Sequence, residues 1–217
     1  MMARTALILL FTCFGLFYVF FIQLIDSDVH MIFKLIPMLL LIILAITTPV
    51  KHSKRYKQLI SVGLIFCAIG DYSLQWFIVG LSSFLVGHIF YILAFRTTHG
   101  GQISNPIKIF SLLYGLIMIV WIAGTLLGNG DIVLAIAVTA YISVILTMGW
   151  TSFRVGTPIA VAGAMMFIVS DTVLAINRFI VDVVYEHQII MFTYYGAQLC
   201  LSLSIAKYDE LRHKMVQ

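Results

Sequence analysis

Apolar stretches as long as a bilayer is thick recur from one end of this chain to the other. A helix needs about 20 predominantly apolar residues to cross a hydrocarbon core of about 30 Å. Polar punctuation divides the chain into eight such stretches, at 6–25, 31–49, 57–77, 82–96, 106–127, 131–150, 157–177 and 187–206. The breaks carry turn chemistry: DSDVH, PVKHSKRYK, RTTHGGQISNPIK, LLGNGD, SFRVGTP and RFIVDVVYEH. The break near Val79 and Gly80 is the weakest and predicts a tight hairpin between the third and fourth spans. Inside lipid each segment must satisfy its own backbone hydrogen bonds, and eight long apolar runs do so as helices. The expected fold class is therefore all-α: a polytopic eight-transmembrane-helix bundle forming one integral membrane domain over residues 1–217. Composition agrees, with 62% hydrophobic and only 10% charged residues, where soluble domains carry about a quarter charged.

The run from Ala6 to Ile25 follows Arg4, is too long for a signal-peptide core and reads as a retained first span. Cys13, Cys67 and Cys200 lie far apart in apolar runs, so they read as small core residues rather than a disulfide or zinc set. A pI near 9.0 would suggest nucleic acid in a soluble chain, but here the basic residues sit at span ends. Arg4, Lys51, Lys54, Arg55, Lys57, Arg96, Lys108, Arg154, Lys207, Arg212 and Lys214 fall on one side of an eight-span topology. Only Arg178 falls on the other, with Lys34 just inside the second span. The positive-inside rule then puts both termini in the cytosol. No nucleic-acid partner, cofactor or metal is expected, and the sequence leaves the oligomeric state open.

Two of the spans contain an aspartate. GLIFCAIGDYSL at 63–74 aligns with GAMMFIVSDTVL at 163–174, so that Gly63 meets Gly163, Gly70 meets Ser170 and Asp71 meets Asp171. The first lies in span three and the second in span seven. That register suggests two parallel half-repeats, about 1–100 and 101–217, related by an axis along the membrane normal. Residues near such an axis face each other at equal depth, so Asp71 and Asp171 are expected to converge. The paired small residues, seven apart, allow close approach of a neighbouring helix. An ionisable group at mid-membrane costs about 2.5–3.5 kcal/mol on insertion scales, so it faces a cavity or a partner. Structural ion pairs of Asp71 and Asp171 with Lys34 and Arg178 are the alternative reading. His88 with Tyr91, and Tyr194 with Gln198, share helix faces by their spacing. With Lys34, Tyr141, Asn177, Arg178 and Tyr195 they form one polar layer toward the end opposite the basic loops.

Taken in order, KLIPMLLL, GLIFCAIGDYSL, FLVGHIFYILAF, GAMMFIVSDTVLAINRF and YYGAQLCL resemble the YhhN-like family, which includes the eukaryotic lysoplasmalogenases. The resemblance covers spans two to eight. It implies an eight-span hydrolase that opens the vinyl ether bond of a lysoplasmalogen to a fatty aldehyde and glycerophosphocholine or glycerophosphoethanolamine. The family pattern falls on Lys34, Asp71, His88, Tyr91, Asp171, Asn177, Tyr195 and Gln198. A eukaryotic source would place it in the endoplasmic reticulum membrane.

The chemistry suits the residues. A vinyl ether resists base and is opened by acid, through an oxocarbenium ion, much as a glycoside is cleaved by a pair of carboxyls. Two carboxyls sharing an apolar chamber cannot both ionise readily, so one keeps its proton near neutral pH. On this reading Asp71 and Asp171 supply the acid and its partner, with the roles unassigned. His88 and Tyr91 place water or relay a proton, and Lys34 or Arg178 holds the lipid phosphate. Asn177, Tyr195 and Gln198 complete the substrate site.

Other classes fit less well. The GxGD of intramembrane aspartyl proteases lacks its first glycine in Ala68-Ile69-Gly70-Asp71. No HxxxH or HExxH supports a metal hydrolase, and no GxSxG a serine hydrolase. A proton-coupled transporter of a small molecule or lipid is the main non-enzyme alternative, since membrane aspartates and parallel repeats also serve transport.

Overall fold

The computed structural model describes residues 2–98, 101 and 103–216. Eight long helices account for most of it: α1 (Met2–Phe21), α2 (His30–Thr47), α3 (Lys54–Ser73), α4 (Phe77–Arg96), α5 (Asn105–Gly128), α6 (Ile132–Ser152), α7 (Pro158–Phe179) and α8 (Glu186–Val216). Seven of the helices among the described residues are long and apolar enough to cross a membrane. The exception is α3, whose first turn carries Lys54, Arg55 and Lys57 and whose last holds Asp71. It nevertheless lies along the full length of α4. Gly63 abuts Tyr91, Cys67 abuts Gly87 and Gly70 abuts Phe84, an antiparallel register that carries α3 across with its partner. The turn between them falls at residues 74–76, earlier than the break expected near Gly80, because Trp76 N–H closes back on the Ser73 carbonyl at 2.9 Å.

Turns and helix starts follow local chemistry. Pro106 and Pro158 open α5 and α7, where a missing N–H costs nothing. Gly130 and Gly156 take positive φ, 84° and 72°, in the connections to α6 and α7. Pro37 lies inside α2, where it frees a carbonyl that membrane helices satisfy by other means. On the adjoining turn, the Tyr195 hydroxyl donates to the Lys34 carbonyl at 2.8 Å.

Lipid supplies no hydrophobic drive between helices, so close packing of small residues does that work. A Cβ on Gly63 would stand 2.3 Å from the Tyr91 ring, and one on Gly163 would stand 3.0 Å from Cys200 Cβ. The small faces of α3 and α7 thus seat α4 and α8 respectively. Contacts in constant register give every direction. α2, α4, α6 and α8 run one way, as Tyr195 with Lys34 and Ser202 with Leu41 illustrate, and the odd helices run the other. Both ends of the described chain therefore lie at one end of the bundle, together with Arg4, Lys51, Arg96, Arg154 and Lys207.

At that end α8 runs well past the bilayer thickness; its 31 residues reach about 46 Å at 1.5 Å per residue. The overhang grips the α2–α3 loop. Asp209 accepts the backbone N–H groups of Lys51, His52 and Ser53 at 2.8–3.0 Å and the Ser53 hydroxyl at 2.8 Å. Arg212 donates to the His52 carbonyl. One carboxylate thus gathers donors at the start of α3 as a capping residue would. Asp209→Ala is expected to cost about 0.5–2 kcal/mol, the range for a lost cap, read as a lower melting temperature in detergent.

Candidate functional site

Asp71 ends α3 between α2 and α8. Its side chain is only 3% exposed, and Lys34 lies beside it, Nζ to Oδ1 at 3.4 Å. Lys34 also donates to the Asp71 carbonyl at 3.2 Å, and the Tyr194 hydroxyl donates to Oδ2 at 2.6 Å. The charge is thus matched by one ammonium and one phenol, as a carboxylate out of water requires. The alternative reading of Asp71 as an ion-pair partner of Lys34 describes this geometry.

Asp171, two-thirds along α7, has a different setting. The Tyr141 hydroxyl of α6 donates to its Oδ2. Its surroundings are an apolar cavity of about 50 Å³ between α4, α5, α6 and α7, large beside the 10–15 Å³ that one water needs. Phe77, Leu81, Met118, Ile145 and Ala175 are among its walls. Arg178 does not pair with Asp171. Its guanidinium lies 5.3 Å from the centre of the Phe77 ring, and Phe77 meets Phe179 edge-on at 5.5 Å. Both rings line the cavity, so a cation stands over its rim. Arg178 makes no ion pair among the described residues.

A chain of edge-on rings links the tyrosines that hold the two carboxyls: Tyr194 against Phe167 at 5.4 Å, Phe167 against His88 at 4.4 Å, and His88 against Tyr141 at 5.4 Å. Each carboxyl has its own tyrosine and no shared hydrogen bond.

His88 sits inside this ring stack, fully buried. Among the described residues neither ring nitrogen has a hydrogen-bond partner; the Phe84 carbonyl one turn earlier faces it without full hydrogen-bond geometry. Tyr91 donates to Gln198 Oε1 at 2.7 Å, tying α4 to α8. Asn177 Oδ1 accepts the Val183 N–H at 2.8 Å and so holds the α7–α8 connection. Tyr195 is engaged with Lys34, as above. Tyr141 and Tyr194 belonged to the polar layer in the sequence, but their direct bonds to the two aspartates had no sequence signal, since aromatic residues in spans look alike whether they serve core, belt or site. Tyr114 and Thr172, bonded to each other beside the cavity, were not singled out.

The cavity continues outward. Tyr114, Leu146, Ile168 and Thr172 also line a groove of about 400 Å³ along α5, α6 and α7. Its other walls include Phe110 and Val169, exposed on the flank of the bundle. Among the described residues no three His, Cys, Asp or Glu side chains group as a metal site.

Known proteins match along most of this architecture. The chain is 30% identical over 209 residues to the lysoplasmalogenase TMEM86B of Sus scrofa, covering 93% of this chain and 86% of that protein. It is 33% identical over 170 residues to the lysoplasmalogenase TMEM86A of Bos taurus, covering 70% and 66%. With the lysoplasmalogenase TMEM86B of Homo sapiens it shares 33% identity over 162 residues, covering 70% and 65%. The alignments thus span about two thirds of the bovine and human proteins. No solved structure gives a significant match. The model of the YhhN family matches residues 29–205, from the loop before α2 to the middle of α8, and the chain belongs to that family.

Proposed function

We propose that this chain is a membrane-embedded hydrolase that cleaves the vinyl ether bond of lysoplasmalogens, releasing a fatty aldehyde and a glycerophospho-alcohol. The observation that carries the reading is the setting of Asp171: a carboxyl in an apolar cavity that opens toward lipid, with a cation at its rim. The names of the relatives point to the same reaction.

The reaction uses these parts as follows. Asp171, as the acid, gives its proton to the β-carbon of the vinyl ether, and the C=C electron pair forms the new C–H bond. The other vinyl carbon becomes part of an oxocarbenium ion, facing the carboxylate left behind. Water adds to that carbon and returns a proton to Asp171. The hemiacetal then breaks its bond to the glycerol oxygen, which takes the hydroxyl proton, and the aldehyde departs. Tyr141 keeps the Asp171 side chain turned toward the cavity. His88 packs edge-on against Tyr141, and Phe167 against His88.

Arg178 lies seven residues beyond Asp171 on one helix, about 10.5 Å along the axis. That separation suits a lysolipid whose phosphate meets the guanidinium while its glycerol bridge brings the vinyl ether to Asp171. The single alkyl chain lies in the α5–α7 groove, entered sideways from the bilayer. Asp71 and Lys34 form a matched pair that sets α2, α3 and α8. Tyr91 with Gln198, Asn177 and Tyr195 position the same helices. The packing of α4 on α6 and of α8 on α2 supports the four-plus-four repeat, and the basic end supports cytosolic termini.

The test uses the purified full chain in neutral detergent, with aldehyde release as the readout. Release from a lysoplasmalogen, and none from the matching saturated alkyl ether, is the expected result. Gradient-driven uptake into vesicles without lipid turnover would instead make the protein a transporter. Arg178→Met is expected to raise KM about tenfold with kcat little changed, as loss of one charge-assisted phosphate contact of about 1.5 kcal/mol requires.

A further inference from the structure

Far from the cavity, at the basic end, three helices bring arginines around one groove of about 510 Å³. Arg55 comes from the first turn of α3, Arg96 from the last turn of α4, and Arg212 from the overhang of α8. Arg55 and Arg96 make no ion pair among the described residues. The acids nearby on α8 are engaged elsewhere: Asp209 with the α2–α3 loop, and Glu210 with Lys207 at 3.0 Å. Thr97, whose hydroxyl donates to the Ala94 carbonyl at 2.7 Å, lies at the rim, and Leu59 and Leu93 form an apolar floor. The floor continues along the α3–α4 seam to Phe66 and Phe90, stacked at 5.5 Å.

We propose that this groove binds an anionic glycerophospholipid through a phosphomonoester in its headgroup, with its acyl chains laid along the α3–α4 seam. Guanidinium forks match phosphate oxygens in pairs, and basic pockets between membrane helices at the cytoplasmic boundary recognise such headgroups. The apolar floor argues for a lipid over free phosphate. The site is separate from the reaction. Asp171 lies thirteen residues beyond Pro158, which opens α7 at the basic end, about 20 Å along the axis, more than one glycerophosphate headgroup spans.

The test compares the full-length wild type with the double variant R55Q/R96Q, which leaves the Arg212 contact to the α2–α3 loop in place. Both are placed in phosphatidylcholine nanodiscs, and binding of phosphatidylinositol 4-phosphate is followed by native mass spectrometry. The expected result is retained lipid in the wild type and roughly 25-fold weaker binding in the variant, about fivefold per arginine. Aldehyde release from a lysoplasmalogen in neutral detergent is expected to be equal in the two. Equal lipid binding by the variant would overturn the assignment. So would competition by inorganic phosphate at matched concentration, which would make this a soluble-anion site. A higher KM for lysoplasmalogen in the variant would overturn it too, by giving these arginines to the substrate.

Discussion

Replacing Asp171 by Asn is expected to lower aldehyde release by about 10²–10⁴-fold, the contribution of a positioned general acid, while the protein stays folded. The substitution is nearly isosteric. The amide oxygen it introduces still accepts from Tyr141, so the contact seen at this position is kept and only the transferable proton is lost. If Arg178 anchors the substrate as proposed, the loss is expected in kcat, with binding changed little. A Tyr141→Phe variant separates positioning from chemistry. It leaves the acid in place but frees its side chain to turn, and a smaller loss than in Asp171→Asn is expected. Aldehyde release followed alongside a melting curve decides the matter: near-normal turnover in a folded Asp171→Asn protein would remove the mechanism.

The contrast between what was legible in the sequence and what was not follows from the physics of each signal. Helices were legible because the bilayer imposes a length and a polarity that composition records directly. Only α3 fell short of that signature, since its topogenic lysines and Asp71 dilute its apolar run; its register against Tyr91 and Phe84 is a packing fact that no hydropathy window carries. The length of α8 was also hidden. Residues 207–216 are polar and read as tail, yet Asp209 has a structural task that depends on a loop more than 150 positions away. The polar layer was legible as a set because charge is rare inside spans. Its partition was not. Side chains at equal depth can share hydrogen-bond partners or take separate ones, and here Asp71 takes Tyr194 and Asp171 takes Tyr141. The residues that decide the division are apolar or aromatic and carry no mark in a hydrophobic sequence.

That partition makes a second large effect predictable, on Lys34 and Asp71. Asp71 is buried, 3% exposed, and Lys34 is half-buried at 14%, so the carboxylate depends on the ammonium beside it. Removing one partner leaves the other uncompensated, at about 3–5 kcal/mol. Lys34→Met and Asp71→Asn are each expected to lower the melting temperature sharply and to reduce the yield of folded protein. The double variant K34M/D71N removes both charges and keeps an acceptor for Tyr194. It is expected to be more stable than either single variant, which for two losses of about 3–5 kcal/mol requires a coupling energy above about 3 kcal/mol, beyond the range of about 0.5–3 kcal/mol usual for residues in one network. Activity separates the two carboxyls further. If Asp71 serves the fold and Asp171 the chemistry, the recovered double variant cleaves lysoplasmalogen within about tenfold of wild type, well short of the roughly 10²–10⁴-fold expected for a lost acid. A stable double variant as inactive as Asp171→Asn would show that both aspartates act on the vinyl ether.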